Sequence, residues 1–419
     1  MAISWDSARA TVHAAAAPLA AHRVPVDEAD GLVLADPLTT LTALPAFDTS
    51  SVDGWAVRGP GPWAIAGRVL AGQVPAAVEP GTAVEIATGA MVPAGTDHVL
   101  RSENCSVTGG RVTGDIPARP DWRAAGEEAA LGEELLAAGS PVTPGVIGLA
   151  SSCGYDELAV RRAPKAALAV FGDELLTHGV PVDARLRDAL GPAFPSWLRR
   201  LGAEVAPGPV RTVEDTLDAH VKAIASAAEQ SDVVVTTGGT MHGPVDHLHP
   251  ALAELGGEYV VDTVAVRPGF PMLVASLPGG KWLVGLPGNP QSAVVALVTL
   301  VAPLLAGLRG AALPELASVR LAADVPGRGD FTHLALARLT RDGAEPLAHA
   351  GSAMLRGVAR ADGFVVVRPG ATARAGDFAD LAPLPLLFGE RPCLAHGLRV
   401  PGMICPSWTP RHTRWPARW

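Results

Sequence analysis

The chain has 419 residues, a formal net charge of −9 and 48% hydrophobic residues. That length predicts about two to four domains with ample core, and the acidic balance excludes the broad basic face that nucleic acid or an acidic membrane surface requires. Four cysteines, Cys105, Cys153, Cys393 and Cys405, form no C-x-x-C pair, which argues against a zinc module or disulfide scaffold and for a reducing cytoplasm.

Residues 5–22 carry Ala8, Val12, Ala15 and Leu19 on one helical stripe, and no basic patch followed by an apolar core marks a secretory signal. A short helix and strand are expected over Val24 to Leu38. Leu44 to Ala56 then reads L-P-A-F-D-T-S-S-V-D-G-W-A, with Asp48 and Asp53 between aromatics. Asp-Gly is first of all a turn, and a carboxylate placed at a pocket is the second reading.

From Trp63 to Asp121 short apolar pieces alternate with Gly and Pro, the spacing of a small all-β insertion. Arg123 to Leu136 is predicted as a helix whose acids, Glu127, Glu128, Glu133 and Glu134, are solvated. A strand pair is expected over Val142 to Val160.

Between Ala166 and Gly310 strands and helices alternate, which predicts a parallel sheet covered on both faces. Ala166 to Phe171 is an apolar run broken by Gly172, with Asp173 and Glu174 next. The β-branched run Val233-Val234-Val235 stops at Gly238-Gly239, and a helix is expected from about Val245 to Leu255. Trp282 to Leu286 is followed by Pro287-Gly288-Asn289-Pro290. Such glycine turns after parallel strands let backbone N–H groups approach a phosphate. With the acids nearby they suggest an anionic ligand held partly through a divalent cation, and Asp232 and Asp246 flank the Gly-Gly rim.

His242, His247 and His249 cluster after that turn, but H-x-H at a helix start sends its rings to different faces, so zinc is the weaker reading. Ser292 to Leu308 lacks charge but is short for a membrane span and contains Pro303; it reads as a helix buried on the sheet. Past Pro314 the pattern is β again. The tail from Gly389 to Trp419 shows no periodicity and reads as disordered. No G-x-S-x-G elbow, P-loop or dinucleotide fingerprint occurs in a strand-to-helix context.

Taken together, the ordered motifs resemble those of the MoeA/gephyrin-E type molybdopterin molybdenumtransferases. Leu44 to Ala56 is similar to P-x-F-D-x-S-x-x-D-G-x-A, and Thr88-Gly89-Ala90 with Pro93, Gly95 and Asp97 to T-G-A-x-x-P-x-G-A-D. Gly172 to Leu175 resembles T-G-D-E-L. Gly238-Gly239 with Asp246, Pro268-Gly269, Gly285 to Pro290, and Gly351-Ser352 match further anchors. The similarity runs from about residue 5 to 388.

The resemblance implies a multidomain α/β plus β fold in a homodimer. Its parts would be an elongated N-terminal part from 1–44 with 122–162, an inserted β domain at 45–121, a MogA-like molybdopterin-binding α/β domain at 163–312 and a β domain at 315–388. It implies Mg²⁺-dependent insertion of molybdate into adenylylated molybdopterin with release of AMP, and a MogA-like adenylyltransferase as a partner. Asp53 would be the catalytic carboxylate, with Asp232 a second candidate. Glu174 and Asp246 would hold Mg²⁺. Gly238, Gly239, Pro287, Gly288, Asn289 and Pro290 would line the phosphate pocket, and Arg267 and Ser352 would hold molybdate or the pterin.

The chain departs from the pattern at Phe270, where the family has Lys, at Phe171 for Thr, at Leu190 for Asn, at Thr240-Met241-His242 for V-S-x and at Glu128 for Asp. Loss of one Lys contact to an oxyanion is expected to cost about 1.5–3 kcal/mol. The alternative these departures suggest is a noncatalytic molybdopterin-binding paralogue.

Overall fold

The computed structural model describes residues 2–206, 210, 212–241 and 246–386, and the backbone of 398–399. The chain divides into two compact units, 20–162 and 1–19 with 163–419. Residues 1–19 therefore pack with the later part of the chain, which differs from the expected grouping of 1–44 with 122–162.

In the 20–162 unit a six-stranded sheet runs in the order His98–Arg101, Gly54–Val57, Thr82–Ile86, Trp63–Val69, Arg111–Gly114, Cys105–Thr108. Ala56, Val69, Ile86 and Val99 form one of its cores. A smaller sheet pairs Ala21–Pro25 and Val33–Leu34 with Glu157–Arg161.

Two expectations in this unit fail. Arg123 to Leu136 is not a helix: Trp122–Arg123 pairs with Thr49–Ser50, and Glu134–Leu136 with Leu38–Thr39. Gly126 and Gly132, at φ +73° and +80°, turn the chain between them, a conformation no helix interior contains. Glu127 accepts from Ala124 N at 3.1 Å and Glu133 from Ala130 N at 2.9 Å, so these acids close turns. The strand pair expected over Val142 to Val160 is instead the helix Pro144–Ser152 followed by the strand Glu157–Arg161. Thr143 caps that helix and Pro144 opens it.

In the other unit, Ser4 caps the helix Trp5–Ala15, accepting from Ser7 N. It ends before residue 22 because Pro18 disfavours helical geometry in the residue before it. Trp5 is buried and its indole N–H donates to Thr299 Oγ1 at 2.9 Å. The neighbouring helix approaches so closely that a β-carbon on Gly307 would lie 2.6 Å from His13 O.

The central sheet runs Glu204–Val205, Lys165–Phe171, Val233–Thr237, Lys281–Leu286, Leu273–Leu277, Glu258–Asp262. The first four strands are parallel, and the last two form an antiparallel edge. Every residue of Val233–Thr237 is buried, as its β-branched run requires. The apolar stretch Pro290–Leu308 is a helix buried almost throughout its length in the fold. Its π-helical turn, Leu297–Val301, ends two residues before Pro303, which cannot donate to the helical ladder.

The last sheet runs Val266–Arg267, Thr332–Thr340, Gly363–Val367, Phe378–Pro383, Ala317–Arg320. Val266–Arg267 pairs in parallel with Thr332–His333. This pairing joins the β domain to the α/β domain at Arg267. The expectation of a disordered tail over 389–419 lies outside the described residues, apart from the backbone of 398–399, which pairs with Ser318 and Val319.

Candidate active site

Three strand-end loops meet at the carboxyl edge of the parallel sheet. Gly238 N donates to Leu286 O at 3.0 Å, and Gly172 N to Val213 O at 3.4 Å. Gly238 and Gly239 have φ of +91° and +66°, so the turn needs residues without side chains. A β-carbon on Gly288 would lie 3.7 Å from Gly238 Cα, which puts both glycine turns against one crevice.

The acidic loop stands beside them. Asp173 N donates to Asp215 Oδ2 at 3.3 Å, and Asp215 N to Asp173 Oδ1 at 3.2 Å. This reciprocal pair locks the loop that presents the exposed Glu174. Asp246 is half-buried. His242 lies outside the described residues. His247 stands edge-on to His220, and His249 bonds Tyr259 through Nδ1 at 2.6 Å.

Next to the second glycine turn is a cleft of about 560 Å³ lined by Arg267, Phe270, Pro287, Asn289, Ser292, Arg328, Phe331, His333 and Ser352, among others. Ser352 O accepts from Gln291 N at 2.9 Å and Ser292 N at 3.3 Å. These are the amides an N-cap side chain normally takes. Asn289, the N-cap residue, makes no capping bond and lines the cleft. Neither Arg267 nor Arg328 pairs with a carboxylate among the described residues. Burial, followed by repulsion from Arg328, holds the His333 imidazole below its usual range, although its bond to Pro326 O opposes this. Two guanidiniums without a carboxylate partner among the described residues leave their N–H groups available to an anion.

In the other unit, Thr88 donates to Asp53 Oδ1 through its backbone N at 2.7 Å and its hydroxyl at 2.9 Å. The backbone bond is the larger cause holding this carboxyl below its ordinary range. Asp48 braces a loop instead, accepting from Ala125 N at 2.8 Å.

Three family descriptions match in order along the chain: "MoeA N-terminal region (domain I and II)" at residues 3–154, "Probable molybdopterin binding domain" at 167–307 and "MoeA C-terminal region (domain IV)" at 318–384. A molybdopterin molybdenumtransferase of Staphylococcus aureus (strain MSSA476) is 31% identical over 324 residues, 74% of this chain and 77% of that protein. The chain belongs to the molybdopterin molybdenumtransferase family. A relative of the same description from Staphylococcus epidermidis (strain RP62A) is 28% identical over 85% of this chain and 89% of its own. The crystal structure of a molybdopterin biosynthesis MoeA protein from Pyrococcus horikosii superposes with a TM-score of 0.75 at 26% identity, covering 92% of this chain and 99% of that one.

The family's function is molybdenum cofactor biosynthesis, and this chain is a transferase of that pathway with the expected α/β plus β architecture. Most of the family-matched residues of the α/β and C-terminal β domains lie at the rims or the cleft: Gly238, Gly239, Pro287, Gly288, Asn289, Arg267, Ser352 and Glu174. Pro290 opens the core helix beside them. Asp232 is the correction. It precedes its strand, about 20 Å from the glycine turn at roughly 3.3 Å per residue. Its buried Oδ2 accepts from Lys165 N at 2.8 Å, bracing the opposite edge of the sheet.

Leu190 is a buried core residue, so its position offers the site no polar contact. Asp215, Arg328, Phe331 and His333 were missed in the sequence. The available signals were Asp215 directly before the N-cap Thr216, and the P-G-R-G-D-F run from Pro326 to Phe331.

Proposed function

We propose that this transferase inserts molybdate into adenylylated molybdopterin and releases AMP, acting as a cytoplasmic homodimer supplied by a MogA-like adenylyltransferase. The observation that supports this reading is that the Gly288 turn, packed against Gly238, continues through Pro287 and Asn289 into a cleft with two arginines that meet no carboxylate among the described residues. Backbone amides suit phosphate oxygens, and guanidinium forks suit a doubly charged tetrahedral oxyanion.

Exposed Glu174 on the acidic loop and half-buried Asp246 after the Gly-Gly turn are carboxylates of the kind Mg²⁺ takes, one or two at a time, with water and phosphate oxygens completing its shell. Glu174 and Asp246 are the proposed ligands, and bound Mg²⁺ would neutralise charge on the pyrophosphate. Asp173 and Asp215 hold the Glu174 loop in place. Arg267, Arg328, Ser292 and Ser352 would orient the oxyanion, and Asn289, free of capping, would contribute an amide. Asp53 is the proposed catalytic carboxylate. Thr88 occupies only Oδ1, which leaves Oδ2 as the oxygen that would meet water.

Purified protein given adenylylated molybdopterin, molybdate and Mg²⁺ should release AMP and yield a molybdenum-loaded pterin. Tight pterin binding with no AMP release, alongside an active relative, would contradict the reading.

A further inference from the structure

The Arg267 guanidinium lies 4.4 Å from the centroid of the Phe331 ring and 5.2 Å from that of Phe270. The two rings meet edge to face at 5.8 Å and 82°. Arg267 has no carboxylate partner among the described residues, so these rings are the groups that hold its charged end. We infer that Phe270 and Phe331 are positioning residues: they clamp Arg267 in the orientation that meets the oxyanion, so Phe270 is a working part of the cleft and not a vacant cation position. This inference rests on the cleft being the oxyanion site.

The physical case has three parts. A guanidinium is planar and weakly hydrated, so it stacks on aromatic faces at little desolvation cost while its edge N–H groups stay available to an anion. A long side chain free in solvent loses rotamer freedom on binding a ligand, whereas a clamped one has already lost it. The loop geometry serves the clamp. Gly269 at φ +101° turns the chain between Arg267 and Phe270, and a β-carbon there would meet Met272 Cε at 3.1 Å and Ser292 O at 3.2 Å. Phe270 O accepts from Val264 N at 3.2 Å and Met272 N at 3.0 Å, which fixes the backbone that carries its ring. A lysine at 270 would remove one wall and set a like charge beside Arg267.

The test uses the full-length protein, inorganic molybdate as the titrant in calorimetry, and AMP as a separate probe of the glycine rims. Phe331→Leu and Phe270→Leu should each weaken molybdate about threefold to thirtyfold, the span of one cation–π contact. They should leave AMP affinity and the thermal midpoint in place, and raise the molybdate KM by more than they lower kcat. Phe331→Tyr, which keeps the ring, should bind molybdate as wild type does, and Phe270→Lys should not bind it more tightly. Leucine variants with wild-type molybdate affinity, or a tenfold gain in Phe270→Lys, would overturn the clamp.

Arg267→Ala and Arg328→Ala separate the two ways of failing. If both arginine variants lose molybdate while the leucine variants keep it, the clamp alone is wrong. If the arginine variants also keep it, the oxyanion lies elsewhere and the functional reading of the cleft falls with the clamp.

Discussion

Gly288 faces Gly238 across the crevice so closely that a β-carbon on Gly288 would sit 3.7 Å from the Gly238 α-carbon. The two positions differ in what they tolerate. Gly288 is absent from the residues with positive φ and a methyl there makes ordinary contact, whereas Gly238 has φ +91° and its methyl would lie 3.1 Å from Phe171 O. Gly288→Ala should therefore keep the wild-type thermal midpoint and lose AMP affinity. Gly238→Ala should lose affinity and also about 1–2 kcal/mol of stability. Thermal unfolding beside calorimetry with AMP reads both.

Asp53 and Thr88 give a prediction about acid dependence. Two bonds to the ionised form hold the Asp53 carboxyl low, so removing the hydroxyl lets its pKa rise. Thr88→Val should move the acidic limb of the kcat/KM profile to higher pH while the alkaline limb stays in place. An unmoved acidic limb would remove Asp53 from the catalytic role.

Carboxylates at opposite ends of the sheet should separate stability from activity. Asp232→Ala leaves Lys165 N without its carboxylate partner and should cost about 1–2 kcal/mol in denaturant unfolding, with kcat close to wild type. Glu174→Gln, at the exposed loop, should leave the unfolding midpoint in place and lower AMP release at least about tenfold, as expected for loss of one ligand-bearing charge.

His220 should make the fold acid-sensitive. Its ring is fully buried against Phe171 at 3.7 Å, Nδ1 donates to Thr216 O at 2.8 Å, and Nε2 is buried with no partner among the described residues. Burial lowers its pKa, with Asp215 opposing and His247 reinforcing the shift. The unfolded chain then binds a proton that the native state refuses. Stability is complete above the ordinary histidine value of about 6.5 and is lost as pH falls below it. Unfolding at pH 7.5 and 5.5 should show this loss in wild type and a smaller one in His220→Phe, with His333 supplying a remainder of the same sign.

Local rules made much of this protein legible from its sequence. A β-branched run that stops at Gly238-Gly239 is a buried strand feeding a tight turn in nearly any context, and Pro290 after Asn289 opens a helix for reasons confined to those residues. The acids of 123–136 misled because the same carboxylate that a helix would leave in solvent can instead accept a backbone N–H within its own turn, as Glu127 and Glu133 do.

Direction and distance were left to the tertiary structure. That Asp232 precedes its strand is plain from chain order, but that its carboxylate is taken up by Lys165 N at the amino edge depends on which strand pairs alongside. Arg267 acquires Phe331 only because Val266–Arg267 pairs with Thr332–His333. Pairing across that interval depends on the packing of whole domains, and no local propensity carries it.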